Sequence, residues 1–134
     1  MPQIKLNVSE LQIRRIDDAG GAPLVYPLSV APKTATYPMV EADSNRCFTN
    51  AGATAAVQFT LPPASSSNVG VHFYFSVEVA QSLTIVQSGA ATVRIGGASG
   101  SSIAASVVGN TIHLACTQSG KWVALSREGT WTVT

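Results

Sequence analysis

Two histidines, two cysteines and seven acidic residues are the side chains of this 134-residue chain best suited to act as bases, ligands or nucleophiles. A serine hydrolase would need one histidine as base and a carboxylate to orient it. His72 lies in the alternating run 69–79, on its polar face with Tyr74, Ser76 and Glu78, and His113 is out of phase with Ile112 and Leu114. Both histidines therefore point away from a core. The carboxylates available to a glycosidase pair are Asp17, Asp18, Glu41, Asp43, Glu78 and Glu128, but five of the seven acids lie in the proline-rich first part. Asp17-Asp18-Ala19-Gly20-Gly21 reads as turn chemistry.

Cys47 and Cys116 have no further Cys or His at the short spacings a zinc site requires. They read as reduced thiols; the alternative is a disulfide worth ~4 kcal/mol through the long loop it would close. The segment 96–102, rich in Gly and Ser, lacks the lysine and following helix of a phosphate-binding loop and reads as an inter-strand loop. Trp122 and Trp131, in a C-terminal strand pair, read as core or subunit-interface anchors, with stacking on sugars as the alternative, and Tyr74 could stack or anchor in the same way. The expectation is no catalytic residue, no metal and no cofactor.

The elements that position these side chains are strands. Hydrophobic residues make up 46 % and charged residues 11 %, against about 25 % charged in ordinary domains. Disorder needs the reverse balance. A net charge of +1 gives no field for nucleic acid or an anionic membrane. No apolar run approaches the ~18 residues of a membrane span, and residues 1–10 carry no signal-peptide stretch.

Ten of the fifteen charges and five of the seven prolines fall within residues 1–46. Proline donates no amide hydrogen, so this part suits an edge and not a sheet centre. Residues 1–42 are expected to form an N-terminal arm or edge-strand segment, and 43–134 a compact β domain. Within the arm Ile4, Leu6, Val8, Leu11 and Ile13 alternate with polar residues, while Tyr26 and Tyr37 stand beside Pro27 and Pro38. These seven are the candidate contacts with a neighbouring protein or subunit.

Period-two alternation predicts strands over 57–61, 69–79, 83–86, 92–95, 111–116, 121–125 and 130–133, separated by glycine-containing turns. Phe59, Phe73, Phe75, Val77, Ile85, Ile112 and Leu114 fall on the core side. Short strands at this spacing predict an all-β fold, a single antiparallel sandwich or barrel of jelly-roll type.

The run Phe48-Thr-Asn-Ala-Gly-Ala-Thr-Ala-Ala-Val-Gln-Phe-Thr-Leu-Pro62, the long alternating strand to Val79, Thr92-Val-Arg-Ile-Gly96, Lys121-Trp-Val-Ala-Leu-Ser126 and the terminal Gly129-Thr-Trp-Thr-Val133 resemble a β-module of tailed-bacteriophage virions. That module occurs in capsid decoration (cement) proteins and short tail-fibre segments. The resemblance covers residues 43–134. It implies a non-enzymatic structural protein, commonly a homotrimer, on the outer capsid surface, with itself and the major capsid protein as partners and no nucleic acid or membrane. A 134-residue chain with no repeat suits a separate protein present in many copies, which favours the decoration reading. The alternative it leaves is a tail-fibre, tailspike or head-fibre component, receptor- or glycan-binding.

Overall fold

The computed structural model describes residues 27–134. The contact candidates Ile4, Leu6, Val8, Leu11, Ile13 and Tyr26 lie outside the described residues.

The described chain is all-β, with twelve strands and two short 3-10 turns, Glu41–Asp43 and Ser66–Asn68. In order the strands are β1 (Ser29–Pro32), β2 (Tyr37–Pro38), β3 (Arg46–Thr49), β4 (Val57–Thr60), β5 (His72–Ser76), β6 (Leu83–Val86), β7 (Thr92–Ile95), β8 (Ala98–Gly100), β9 (Ser102–Ala105), β10 (Thr111–Gln118), β11 (Lys121–Glu128) and β12 (Thr132–Val133). They form a seven-stranded sheet, β1-β3-β5-β10-β11-β7-β8, and a five-stranded sheet, β12-β9-β6-β4-β2.

The topology corrects the antiparallel jelly-roll expectation. From β1 to β6 the chain alternates between sheets, and each strand lies parallel to its predecessor in the same sheet: β1 with β3 and β3 with β5, β2 with β4 and β4 with β6. Three coils therefore stack as in a β-solenoid. The rest closes this stack with antiparallel partners, β10 on β5 and β9 on β6, before β11 and β7 pair in parallel again. Alternation of apolar and polar side chains is the same in both kinds of ladder, so it carries no information on strand direction.

Two proline-bearing strands take the edges. β1 ends at Pro32 on the rim of the larger sheet, and β2 ends at Pro38 on the rim of the smaller one. A missing amide hydrogen is harmless where one side of the strand faces no partner. Both strands pair with the coil behind them.

The sheets face each other across an aromatic core. Phe48 from the larger sheet meets Phe59 from the smaller at 5.6 Å between centroids, and Phe59 meets Phe75 at 5.4 Å, both edge-on. Such geometries place a positive ring edge on a negative face. Val57, Leu61, Leu83, Ile85, Ile103, Ile112 and Leu114 complete the layer. All seven core residues read from alternation, Phe59 to Leu114, are buried.

Three coil corners are tied by buried asparagines. Asn50 follows β3; its Oδ1 accepts from the amides of Glu78 and Val79, and its Nδ2 donates to the carbonyls of Val79 and Gln81. Asn68 donates to the Pro63 carbonyl and Asn110 to that of Thr130. Corner backbone cannot join a ladder, so these amides satisfy what the strands leave over.

The segment 96–102 is not a free loop. Gly96 turns the chain at φ 57°, and Ala98–Gly100 returns as β8 against β7.

Candidate functional site

The outer face of the seven-stranded sheet carries the side chains with chemistry. Register sets them in two rows. In the first, Val30, Cys47, Tyr74, His113 and Ser126 lie side by side across β1, β3, β5, β10 and β11. In the second, His72, Ala115, Val123 and Arg94 cross β5, β10, β11 and β7. A register shift between His113 and Leu114 leaves Leu125 as an extra residue on β11, and its side chain is 57 % exposed. Bulges re-aim side chains in this way.

His72 and His113 are diagonal neighbours, and the sheet brings their rings together: Nδ1 of His72 is 2.8 Å from Nε2 of His113. Tyr74 holds them there. Its ring stacks on His113 at 4.0 Å and 14° and meets His72 edge-on at 5.8 Å. An open groove of ≈ 480 Å³ lies alongside, lined by both histidines with Val69, Gly70, Ala115, Cys116, Thr117 and Leu125. A smaller one of ≈ 170 Å³ runs past Leu28, Cys47, Tyr74 and His113. Among the described residues no Asp, Glu, Lys or Arg lines either groove.

At a separation of 2.8 Å one ring nitrogen carries the proton and the other accepts it, and two imidazolium rings cannot occupy these positions together. Burial first, then the neighbouring His72, holds the pKa of His113 below its ordinary value of 6.5. The folded protein thus binds fewer protons here than the unfolded chain. The stability from a neutral His113 is fully present above pH 6.5 and is lost as pH falls through the window down to the lowered folded-state value. We expect the Tm of the wild type to decline between pH 7.5 and 5 more steeply than that of His113→Gln. Parallel profiles in calorimetry would refute the assignment.

Neither histidine is hydrogen-bonded to a carboxylate among the described residues. Cys47, in the same row, is pushed up in pKa by burial and by Glu78, which disfavours the nucleophilic thiolate. Both cysteines are free thiols, Cys47 half-buried and Cys116 buried on the core side. Among the described residues no three of His, Cys, Asp and Glu cluster as metal ligands.

The remaining aromatic candidates separate. Trp122 is fully buried and stacked on Phe73 at 5.7 Å, and Trp131 is buried with its indole N–H shared between the carbonyls of Thr111 and Glu128. Both stand in the core, so neither is available to stack on a sugar or on a neighbouring subunit. Trp122 and Leu125 sit in a strand whose neighbours Val123 and Ala124 are also apolar, so alternation could not say which face turns inward. Tyr74 keeps its outward position. Tyr37, a candidate contact, is half-buried in the chain's own structure: its hydroxyl donates to Asp43 at 2.9 Å and its ring meets Phe48 at 5.6 Å. Lys33 Nζ lies 3.9 Å above that ring. The histidine contact itself escaped the sequence reading. Each histidine was visible on a polar face, but their meeting depends on the β5–β10 register.

Neither a protein-family model nor a curated protein matches the chain. No helix among the described residues is long and apolar enough to cross a membrane.

Proposed function

We propose that this chain is a structural protein of a tailed-bacteriophage virion, a capsid decoration (cement) protein that binds the outer capsid surface as a homotrimer and stabilises the shell against the pressure of packaged DNA. The observation that carries this reading is the end of the coil stack where, among the described residues, β1 and β2 have no further strand beside them. β1 and β2 are the rims of the two sheets at the same end of the winding, and Leu28, Val30 and Val40 are exposed there. Unpaired strand rims accept further strands from a neighbour, and alternate side chains select which one. Residues 1–26 join the body at this end, with Ile4, Leu6, Val8, Leu11 and Ile13 in the alternation a bridging strand needs.

The partners are further copies of the chain and the major capsid protein. The mechanism is mechanical: each copy buries apolar area across subunit boundaries, at about 25 cal/mol per Å², and the gain is repeated over the shell. A body with few charges serves this role, since lattice contacts between identical neighbours then carry little repulsion. A second reading is favoured by the stacked coils themselves, which extend along one direction and suit a segment of a tail or head fibre, with Tyr74 as the outward aromatic for a receptor or glycan.

The test is thermal DNA release from virions assembled with and without the chain. Earlier release without it is expected of a cement protein; identical release together with a low copy number would transfer the assignment to a fibre.

A further inference from the structure

Independently of that role, we infer that His72 and His113 form a two-imidazole chelate for a late first-row divalent cation, of the class Ni²⁺, Cu²⁺ or Zn²⁺, on the outer face of the seven-stranded sheet. Their facing nitrogens are 2.8 Å apart. Two nitrogens bound to one such ion at metal distances of 2.0–2.1 Å stand about 2.9–3.4 Å from each other. The separation needs to change by only a few tenths of an ångström, and each ring turns so that its lone pair aims beside the line joining the two nitrogens, where the ion sits. Few cross-strand positions offer this, because the directly opposite residues here are Tyr74 for His113 and Ala115 for His72.

The protons balance without cost in charge. The hydrogen now held between the rings leaves the facing nitrogen, and its ring takes up a proton on its far nitrogen. Each imidazole remains neutral with one N–H, and both lone pairs face the ion. Stacking on Tyr74 fixes the ring that would otherwise lose rotamer freedom on binding.

The surroundings select the class of ion. Imidazole suits Ni²⁺, Cu²⁺ and Zn²⁺, whereas Mg²⁺ and Ca²⁺ require oxygen ligands. Among the described residues no carboxylate lines the groove beside the pair, and no third His, Cys, Asp or Glu makes a group of three. The groove leaves the other coordination positions to water, so the site is an open one.

His72 and His113 are the only histidines in the whole chain, which makes the test direct. Calorimetric titration of the full-length protein with Ni²⁺ at pH 7.5 is expected to give one ion per chain. His72→Asn and His113→Asn should each weaken binding on the order of tenfold or more, and the double variant, with no imidazole left, should lose less affinity than the sum of the two single losses, the non-additivity of a chelate. Two ions per chain, or losses that add, would mean independent histidines and overturn the proposal. On the wild type alone, Ni²⁺ should broaden the NMR signals of both rings together at the same molar ratio; broadening of one ring only would also overturn it.

Discussion

Replacing Phe48 with alanine is expected to destabilise the protein by about 3–5 kcal/mol, the range for a fully buried aromatic whose cavity cannot collapse. Phe48 is the ring at which the two sheets and the edge strand meet. It lies 5.6 Å from Tyr37, 5.6 Å from Phe59, 6.1 Å from Phe73 and 6.1 Å from Phe75, with no exposed surface. Its loss removes the apolar area and leaves four rings without a shared neighbour. In a domain of this length the change corresponds to a fall in Tm of roughly 10–20 °C. Phe48→Leu retains most of the volume and should cost well under half as much. An unchanged Tm for Phe48→Ala in a calorimetric scan would mean that the sheets do not face each other across this ring.

Asn50→Ala is expected to cost nearly as much, about 3–4 kcal/mol, although it deletes no apolar surface. The Asn50 side chain is completely buried and makes four hydrogen bonds to the backbone of residues 78–81. Truncation leaves two amide hydrogens and two carbonyls near the core, and an abandoned buried polar group costs about 1–3 kcal/mol. Water entering the vacated space offsets part of the total. Asn50→Asp separates the terms: it keeps the acceptor for Glu78 and Val79, but it faces the carbonyls of Val79 and Gln81 with a carboxylate oxygen. Urea unfolding of both variants should therefore give lowered midpoints. A midpoint equal to wild type for Asn50→Ala would show that the corner holds without this side chain.

Much of the strand layout was legible in residue pattern. The runs 83–86 and 92–95 emerge with the bounds their alternation predicts, because Leu83 and Ile85, or Val93 and Ile95, bury on one side only. The run 69–79 keeps its phase through Phe73, Phe75 and Val77 but is a regular strand only from 72 to 76. Gly70 at φ 95° breaks it at one end, and at the other Val77 donates to the carbonyl of Asn110 in a corner. What alternation cannot encode is how strands find one another. The connection between Pro32 and Tyr37 is short enough for a hairpin, yet it crosses between sheets. The same gap hid the histidine pair, and it hid the corner role of Asn50, a residue whose type alone marks a turn.

The coil stack has a consequence for how the protein is made. Ribosomes deliver β1 to β6 first, and each of those strands finds its parallel mate as the next coil emerges. The partners that close the stack, β9 on β6 and β10 on β5, come later in the chain. Until residue 113 or so has left the exit tunnel, the nascent polypeptide holds two unfinished rims, at β5 and β6. Between Cys47 and Gly120 only Glu78 and Arg94 carry charge, so electrostatic repulsion gives little protection against clumping among chains on one polysome. Slow translation over the segment 87–110 would lengthen that exposure, and the yield of native protein should fall with it.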